Sequence, residues 1–203
     1  MKKLAIFASG AGSNAQQIME RFRNHADIEV SLIVCNRPGA GVLNIAQTAG
    51  IPKLMIERER FMNGDAYIPE LEKIGIDVII LAGFLWKVPN RLVDAYRGRI
   101  LNIHPALLPS HGGKGMYGMN VHESVIADRD TKSGITIHLV DELYDHGAHI
   151  FQKDITILPG ETPESLATRI HELEHRYFPA VVEKFLLGAD CPIDLSSIES
   201  MTP

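Results

Sequence analysis

Positive charge, cysteine and long apolar runs are all scarce in this chain. Its 20 Lys and Arg residues are outnumbered by 25 Asp and Glu, a net charge of −5. That balance supplies no field to attract nucleic acid. An anionic ligand would need a local positive site, such as a helix N-terminus. Only two cysteines occur in 203 residues, which excludes a disulfide framework. Cys35 closes the apolar run Ser31-Leu32-Ile33-Val34 and is expected as a small buried hydrophobe, while Cys191 lies in the tail. No apolar stretch approaches a transmembrane length, so no membrane partner is expected. The N-terminus, Met1-Lys2-Lys3 and a short apolar run to Ser9-Gly10, is too short for a secretory signal. The expected location is the cytoplasm. Repeats and low-complexity segments are also missing.

What remains is an ordinary globular composition, 45% hydrophobic and 22% charged, with enough length to bury a core. One domain over residues 1–187 and a loose tail over 188–203 are expected. Apolar runs alternate with helical patterns. Strands are expected at Leu4–Ala8, Glu29–Cys35, Lys53–Ile56, Asp77–Ala82 and Ile100–Ile103. Between them, helices are expected after the Ser9–Asn14 loop to about Asn24, over Gly41–Ala49, over Asp65–Ile74, and after Pro89, which suits a first turn. Beyond Ile103 the character changes. Pro105–Gly118 is a Gly- and Pro-rich loop, and a short helix follows at Asn120–Ala127. Gly134–Val140 and Ile150–Leu158 read as an antiparallel pair, before a long helix over Glu164–Leu187 with Thr162 as its N-cap and Pro163 in its first turn. The fold class is α/β: an open, mostly parallel, doubly wound sheet with antiparallel strands and a long helix near the C-terminal end.

In such a sheet, ligands bind outside the carboxyl ends of the strands. Three signals meet there. Gly10-Ala11-Gly12-Ser13-Asn14-Ala15 follows the first strand and lets backbone approach an anion at a helix N-terminus. The second strand ends Cys35-Asn36-Arg37, with no acid for a ribose; Arg37 keeps an NADP site open, but Ser13 and Asn14 suit a single phosphate better. No Lys-Ser or Lys-Thr follows at P-loop spacing. Gly83–Val88 follows the fourth strand. Asn102 and His104, two apart at the end of the fifth, point to one face. An amide that holds an oxyanion beside an imidazole that moves a proton suits chemistry on a carbonyl. Taken alone, the pair is also what a strand-end Asn and a satisfied core His would look like.

His171-Glu172-Leu173-Glu174-His175 fits the zinc-hydrolase pattern H-E-x-x-H, but a third ligand is lacking: Glu183 shares the helix, and Asp190, Asp194 and Glu199 lie in a polar tail. Thr136-Ile137-His138 alternates along a strand, and the acidic loop after it offers Asp141, Glu142 and Asp145 as partners for His104, without choosing among them. Gly112–Gly118 contains four glycines and Lys114, a segment able to close over a ligand or merely an exposed loop.

Together, Ser9–Asn14, Leu81-Ala82-Gly83-Phe84, Leu101–Pro109 and Gly134–His138 resemble the phosphoribosylglycinamide formyltransferases, folate-dependent enzymes of purine synthesis. The resemblance runs from Lys3 to about Leu187. It implies an open α/β fold and transfer of a formyl group from 10-formyltetrahydrofolate to the amine of glycinamide ribonucleotide, without a metal. By position, Asn102, His104 and Asp145 match the family's catalytic Asn, His and Asp. Gly10, Ala11, Gly12, Ser13 and Asn14 match the stretch that takes the ribonucleotide, its phosphate at Gly12–Asn14. His171, Glu172, Leu173 and Glu174 match a second substrate stretch, with Glu174 at the ribose. Leu85, Trp86, Lys87 and Val88, with Asn102 and with Asp141, Glu142, Leu143, Tyr144 and Asp145, match the lining of the folate site. The resemblance also implies a protonated His104 that stabilises the oxyanion beside Asn102.

The chain departs from some members in two places. Gly64, with Arg58 and Arg60 nearby, stands where they place a folate-contacting Arg, and the stretch after Pro109 is unusually rich in glycine. Two related activities are weighed against this one. Formyltetrahydrofolate hydrolases add a preceding regulatory domain, and methionyl-tRNA formyltransferases a following tRNA-binding one; neither is expected here. A non-catalytic ligand-binding module would have no need of Asn102, His104 and Asp145 together. The expected partners are small molecules, and homo-oligomer formation stays open.

Overall fold

The computed structural model describes residues 1–189, 191–194, 196 and 198. Among the described residues there are seven strands and seven helices, alternating except at α3–α4 and β6–β7. They are β1 (Lys2–Ala8), α1 (Ser13–Phe22), β2 (Ile28–Cys35), α2 (Gly41–Thr48), β3 (Lys53–Met55), α3 (Arg58–Asn63), α4 (Ile68–Ile74), β4 (Val78–Leu81), α5 (Asn90–Ala95), β5 (Ile100–His104), α6 (Met119–Ala127), β6 (Lys132–Leu139), β7 (His149–Thr156) and α7 (Pro163–Leu186). The strand order is β3-β2-β1-β4-β5-β6-β7. It reverses direction across β1 and β4, as in a doubly wound fold.

The chain divides into two compact units, and each has its own architecture. The first holds Met1–Asn102 and Val140–Glu142. Its strands pair in parallel, β1 with β2 and β4, β2 with β3, and β4 with β5. Parallel strands covered on both faces carry continuous apolar runs. Accordingly β4 is buried at every position and β1 from Leu4 to Ala8. Phe7, Phe61, Leu71, Ile79 and Leu92 belong to one apolar cluster of this unit. Because these strands run the same way, Ser9 after β1, Gly83 after β4 and Asn102 near the end of β5 lie on one edge.

The second unit holds Ile103–Leu139 and the described residues from Leu143 onward. The expected antiparallel pair is present, β6 against β7, with a register shift between Ile137 and His138. α7 begins as anticipated: Thr162 Oγ1 accepts the Ser165 N–H at 3.3 Å and Pro163 occupies the first turn.

Several expectations need correction. The helix expected over Asp65–Ile74 starts later, as α4 at Ile68, and a further short helix, α3, precedes it at Arg58–Asn63. Between them Ala66 and Tyr67 adopt positive φ (53° and 58°). The buried Tyr67 hydroxyl accepts the Glu57 N–H at 2.8 Å, and Asp65 Oδ1 accepts the Tyr67 N–H at 3.0 Å. α3 left no mark in the sequence because only Phe61 of its residues is buried, so it has no apolar periodicity. Pro89 is the N-cap of α5 rather than part of its first turn. β6 starts earlier than Gly134 and stops before Val140, whose N–H instead donates to Ile100 O at 2.9 Å. The tail is not wholly loose: Ile193 and Ile198 are buried, and the Ile193 N–H donates to Ile150 O at 2.7 Å.

Candidate active site

β5 ends on His104, so Asn102 and His104 share one strand and one face. Leu81 pairs with Asn102, which registers the amide on the buried β4. His104 is almost fully buried. Beyond it the chain turns at Pro105 and is tied to β6 by Thr136. The Thr136 hydroxyl donates to Ala106 O at 2.7 Å and accepts the Leu108 N–H at 3.0 Å. Gln152 on β7 donates to that same oxygen and to Leu108 O.

The imidazole of His104 has a partner on each nitrogen. Nε2 lies 2.8 Å from the His111 carbonyl oxygen. A carbonyl only accepts, so Nε2 carries a proton. Nδ1 faces Asp145 Oδ2 at 3.6 Å, longer than a charge-assisted hydrogen bond. Asp145 Oδ2 also accepts the Gly113 N–H at 2.8 Å, and Oδ1 stands 3.6 Å from Nε2 of His138. The His138 Nδ1–H donates to Leu139 O at 2.8 Å, which turns Nε2 toward the carboxylate. Of the three acids the loop offered, Asp145 is the one against His104.

Burial pushes the His104 pKa below its ordinary value, and the Asp145 charge opposes that only in part. Burial would raise Asp145, but His138, the charge of His104 and the Gly113 N–H together hold its carboxyl below the usual range. The resting pair is therefore a neutral imidazole beside an ionised carboxylate.

Three further histidines lie near His104, and the sequence pattern singles out only His138 among them. His111 lies in the glycine-rich loop, with its ring nitrogens on Ser124 Oγ (2.9 Å) and Asp130 Oδ2 (2.7 Å). His122 on α6 is buried with no partner for Nδ1, and burial first, then the charges of His171 and His104, lower its pKa to about 4. The alternation along β6 marks His138 but not its place beside Asp145. None of these contacts follows from spacing along the chain.

On α7, Glu174 is buried while His171 and Glu172 are exposed and Leu173 is half-buried. His171 Nε2 is 4.0 Å from Glu174 Oε2, and the rings of His171 and His175 stack at 6.4 Å. Glu172, the residue a zinc hydrolase would use as base, is exposed while Glu174 turns inward. Among the described residues no group of three His, Cys, Asp or Glu is placed to hold a metal ion. Asp190 and Glu199 lie outside the described residues.

In the first unit, Gly12 takes φ 87° at the N-terminus of α1, and a Cβ there would stand 2.7 Å from Val42 Cβ. The Val42 N–H donates to Gly10 O at 3.2 Å, so the loop rests on the start of α2. Only glycine meets both demands at position 12. Ser9 joins this loop to the one after β4: its N–H donates to Gly83 O at 3.0 Å and its hydroxyl accepts the Leu85 N–H at 2.9 Å. Within the expected folate stretch Leu85 is exposed, Trp86 and Lys87 are half-buried and Val88 is buried. Trp86 stands against an aromatic group of Phe7, Phe61 and Phe84. The Arg58 guanidinium lies 5.9 Å over the Trp86 ring. Asp141 and Leu143 are half-exposed or exposed, as is Tyr144, and Glu142 is occupied by Arg97 at 2.5 Å. That guanidinium holds the Glu142 carboxyl below the usual range.

The formyl transferase family model matches residues 2–182. The chain belongs to the formyl transferase family. The chloroplastic phosphoribosylglycinamide formyltransferase of Arabidopsis thaliana is 41% identical over 94% of this chain, which spans 65% of that relative's length. The enzyme of the same name from Bacillus subtilis is 38% identical, with 92% of this chain and 95% of the relative covered. Among solved structures, the phosphoribosylglycinamide formyltransferase of Bacillus halodurans superposes with a TM-score of 0.83 at 36% identity, covering 93% of this chain and 97% of that one. The formyl transferase fold therefore accounts for both units. No helix among the described residues is long and apolar enough to cross a membrane.

Proposed function

We propose that this formyl transferase moves the formyl group of 10-formyltetrahydrofolate to the amine of glycinamide ribonucleotide. The observation that carries the proposal is the pairing of the His104 ring with the Asp145 carboxyl at 3.6 Å, at the end of the strand that also presents Asn102. The residues present fit acyl transfer. Gly12–Asn14 offers N–H groups at a helix N-terminus to the ribonucleotide phosphate. Glu174 takes the ribose. The loop at Leu85–Val88 and the segment Asp141–Asp145 line the folate.

The substrate amine attacks the formyl carbon, and the carbonyl oxygen becomes an oxyanion that the Asn102 amide holds. The attacking nitrogen sheds a proton to Nδ1 of His104. Asp145 stabilises the resulting imidazolium. That proton then passes to the leaving folate nitrogen, the C–N bond to folate breaks, and His104 is neutral again. No step needs a metal. The small, anionic substrate is met by a local site rather than by the acidic surface as a whole, which supports neither nucleic acid nor membrane as a partner. We assign the reaction to the cytoplasm.

Incubation with 10-formyltetrahydrofolate, with and without glycinamide ribonucleotide, tests this. Loss of the formyl group only when both are present is the expected result. Consumption of the folate alone would point to a hydrolase, and no consumption to a binding module. Asn102→Ala is expected to lower kcat by about two orders of magnitude or more with the fold intact, because one oxyanion donor contributes roughly 3 kcal/mol. Near-native turnover in that variant would sink the assignment.

A further inference from the structure

We infer that His111 is a positioning residue, whose side chain, anchored on Asp130 and Ser124, holds its own carbonyl where it accepts the Nε2–H of His104. His104 is thereby kept in the tautomer that takes up a proton at Nδ1. The inference rests on the proposed role of His104.

The chain from Pro105 to Gly118 is rich in glycine, and a backbone carbonyl there would not keep its direction unaided. His111 keeps it. Its φ of 52° lies in the left-handed region, which side-chain-bearing residues occupy only when their surroundings demand it. The ring supplies that demand. Its Nε2–H donates to Asp130 Oδ2 at 2.7 Å, and its Nδ1 pairs with Ser124 Oγ at 2.9 Å. Asp128 Oδ2 stands 3.9 Å from the same Nδ1. These partners belong to α6 and the turn that leads into β6, outside the reacting groups.

The anchor acts on both halves of the proposed proton pair. The His111 carbonyl fixes the donor nitrogen of His104. Two residues on, the Gly113 N–H fixes Asp145 Oδ2. One ring thus registers the short backbone segment that orients His104 and Asp145 together. Imidazole tautomers are set by the hydrogen bond the other nitrogen makes. Without the carbonyl, the proton is free to move to Nδ1, where it would donate to Asp145 and leave no site to accept a proton from the amine.

The test is nitrogen NMR of the protein labelled with 15N-histidine, in the absence of substrate at a pH of about 8, where the imidazole is neutral. His104 is assigned by its loss in His104→Asn. Wild-type protein is expected to show the Nε2–H tautomer at His104. Asp130→Ala, a change at an exposed position, is expected to populate the Nδ1–H tautomer. In the same variant kcat should fall about three- to tenfold, the effect of one lost hydrogen bond, with KM for both substrates nearly unchanged. Asp130→Asn keeps an acceptor oxygen and should restore most of both signals. An Nδ1–H tautomer in the wild-type protein overturns the inference, as does an unchanged tautomer in folded Asp130→Ala. Full activity in His104→Asn would instead overturn the functional reading, and the tautomer measurement would stand apart from it.

Discussion

Asp145 Oδ2 stands 3.6 Å from Nδ1 of His104 while it accepts the Gly113 N–H at 2.8 Å. The carboxylate is held by the loop backbone, not by the imidazole, and so is in place before His104 takes up a proton.

Asp145→Asn keeps the shape and the Gly113 contact but removes the charge. The Asp145 charge raises the His104 pKa against burial, so its loss moves that pKa further down. Because the free-enzyme acid limb of kcat/KM reports the proton-accepting group, the limb should lie below the ordinary histidine value in wild type and lower still in Asp145→Asn. The plateau should fall by about two orders of magnitude or more. A limb that does not move, measured by initial rates from acid to neutral pH, would separate Asp145 from His104.

His122 predicts an acid-sensitive stability. Its folded pKa, about 4, lies below the ordinary 6.5. The unfolded chain therefore takes the extra proton first, and stability falls as pH drops from 6.5 toward 4. The contribution is fully present above 6.5 and is on the order of 3 kcal/mol. Urea midpoints across this window should fall less steeply in His122→Leu than in wild type.

Thr136 is fully buried and its hydroxyl bridges Ala106 O, the Leu108 N–H and Gln152. Thr136→Val keeps the volume and orphans these groups. A loss of about 2–3 kcal/mol is expected in denaturant unfolding. Thr136→Ser should recover most of it.

Gly12→Ala meets two obstacles, a φ of 87° and the Val42 side chain at 2.7 Å. The loop must shift, and its N–H groups with it. KM for glycinamide ribonucleotide is expected to rise about tenfold or more, as one charge-assisted hydrogen bond to phosphate is lost, while KM for the folate stays close to wild type. Steady-state titration of each substrate reads the difference.

The order of strands and helices was legible because apolar runs mark buried strands directly. β4 is a run of Val78-Ile79-Ile80-Leu81, and every residue of it is buried. The N-cap at Thr162 was legible for a local reason, since its partner is three residues away. α3 was illegible because a six-residue helix with one buried side chain carries no period. The tail was misread because Ile193 and Ile198 are isolated apolar residues whose burial depends on distant partners.

By itself the sequence determined the doubly wound pattern, the glycine turn at Gly10–Asn14, and the sharing of one face by Asn102 and His104. These depend on neighbours a few residues apart, where backbone periodicity decides what meets what. The residues alone left Asp141, Glu142 and Asp145 open, with only the family resemblance pointing to Asp145; the tertiary structure decided which of them faces His104 and which nitrogen of its ring carries the proton. Those depend on Asp145 and His111 arriving from elsewhere in the chain, and on burial, which no spacing encodes. The same holds for exposure along α7, where the helix turns Glu174 inward and leaves His171 and Glu172 exposed.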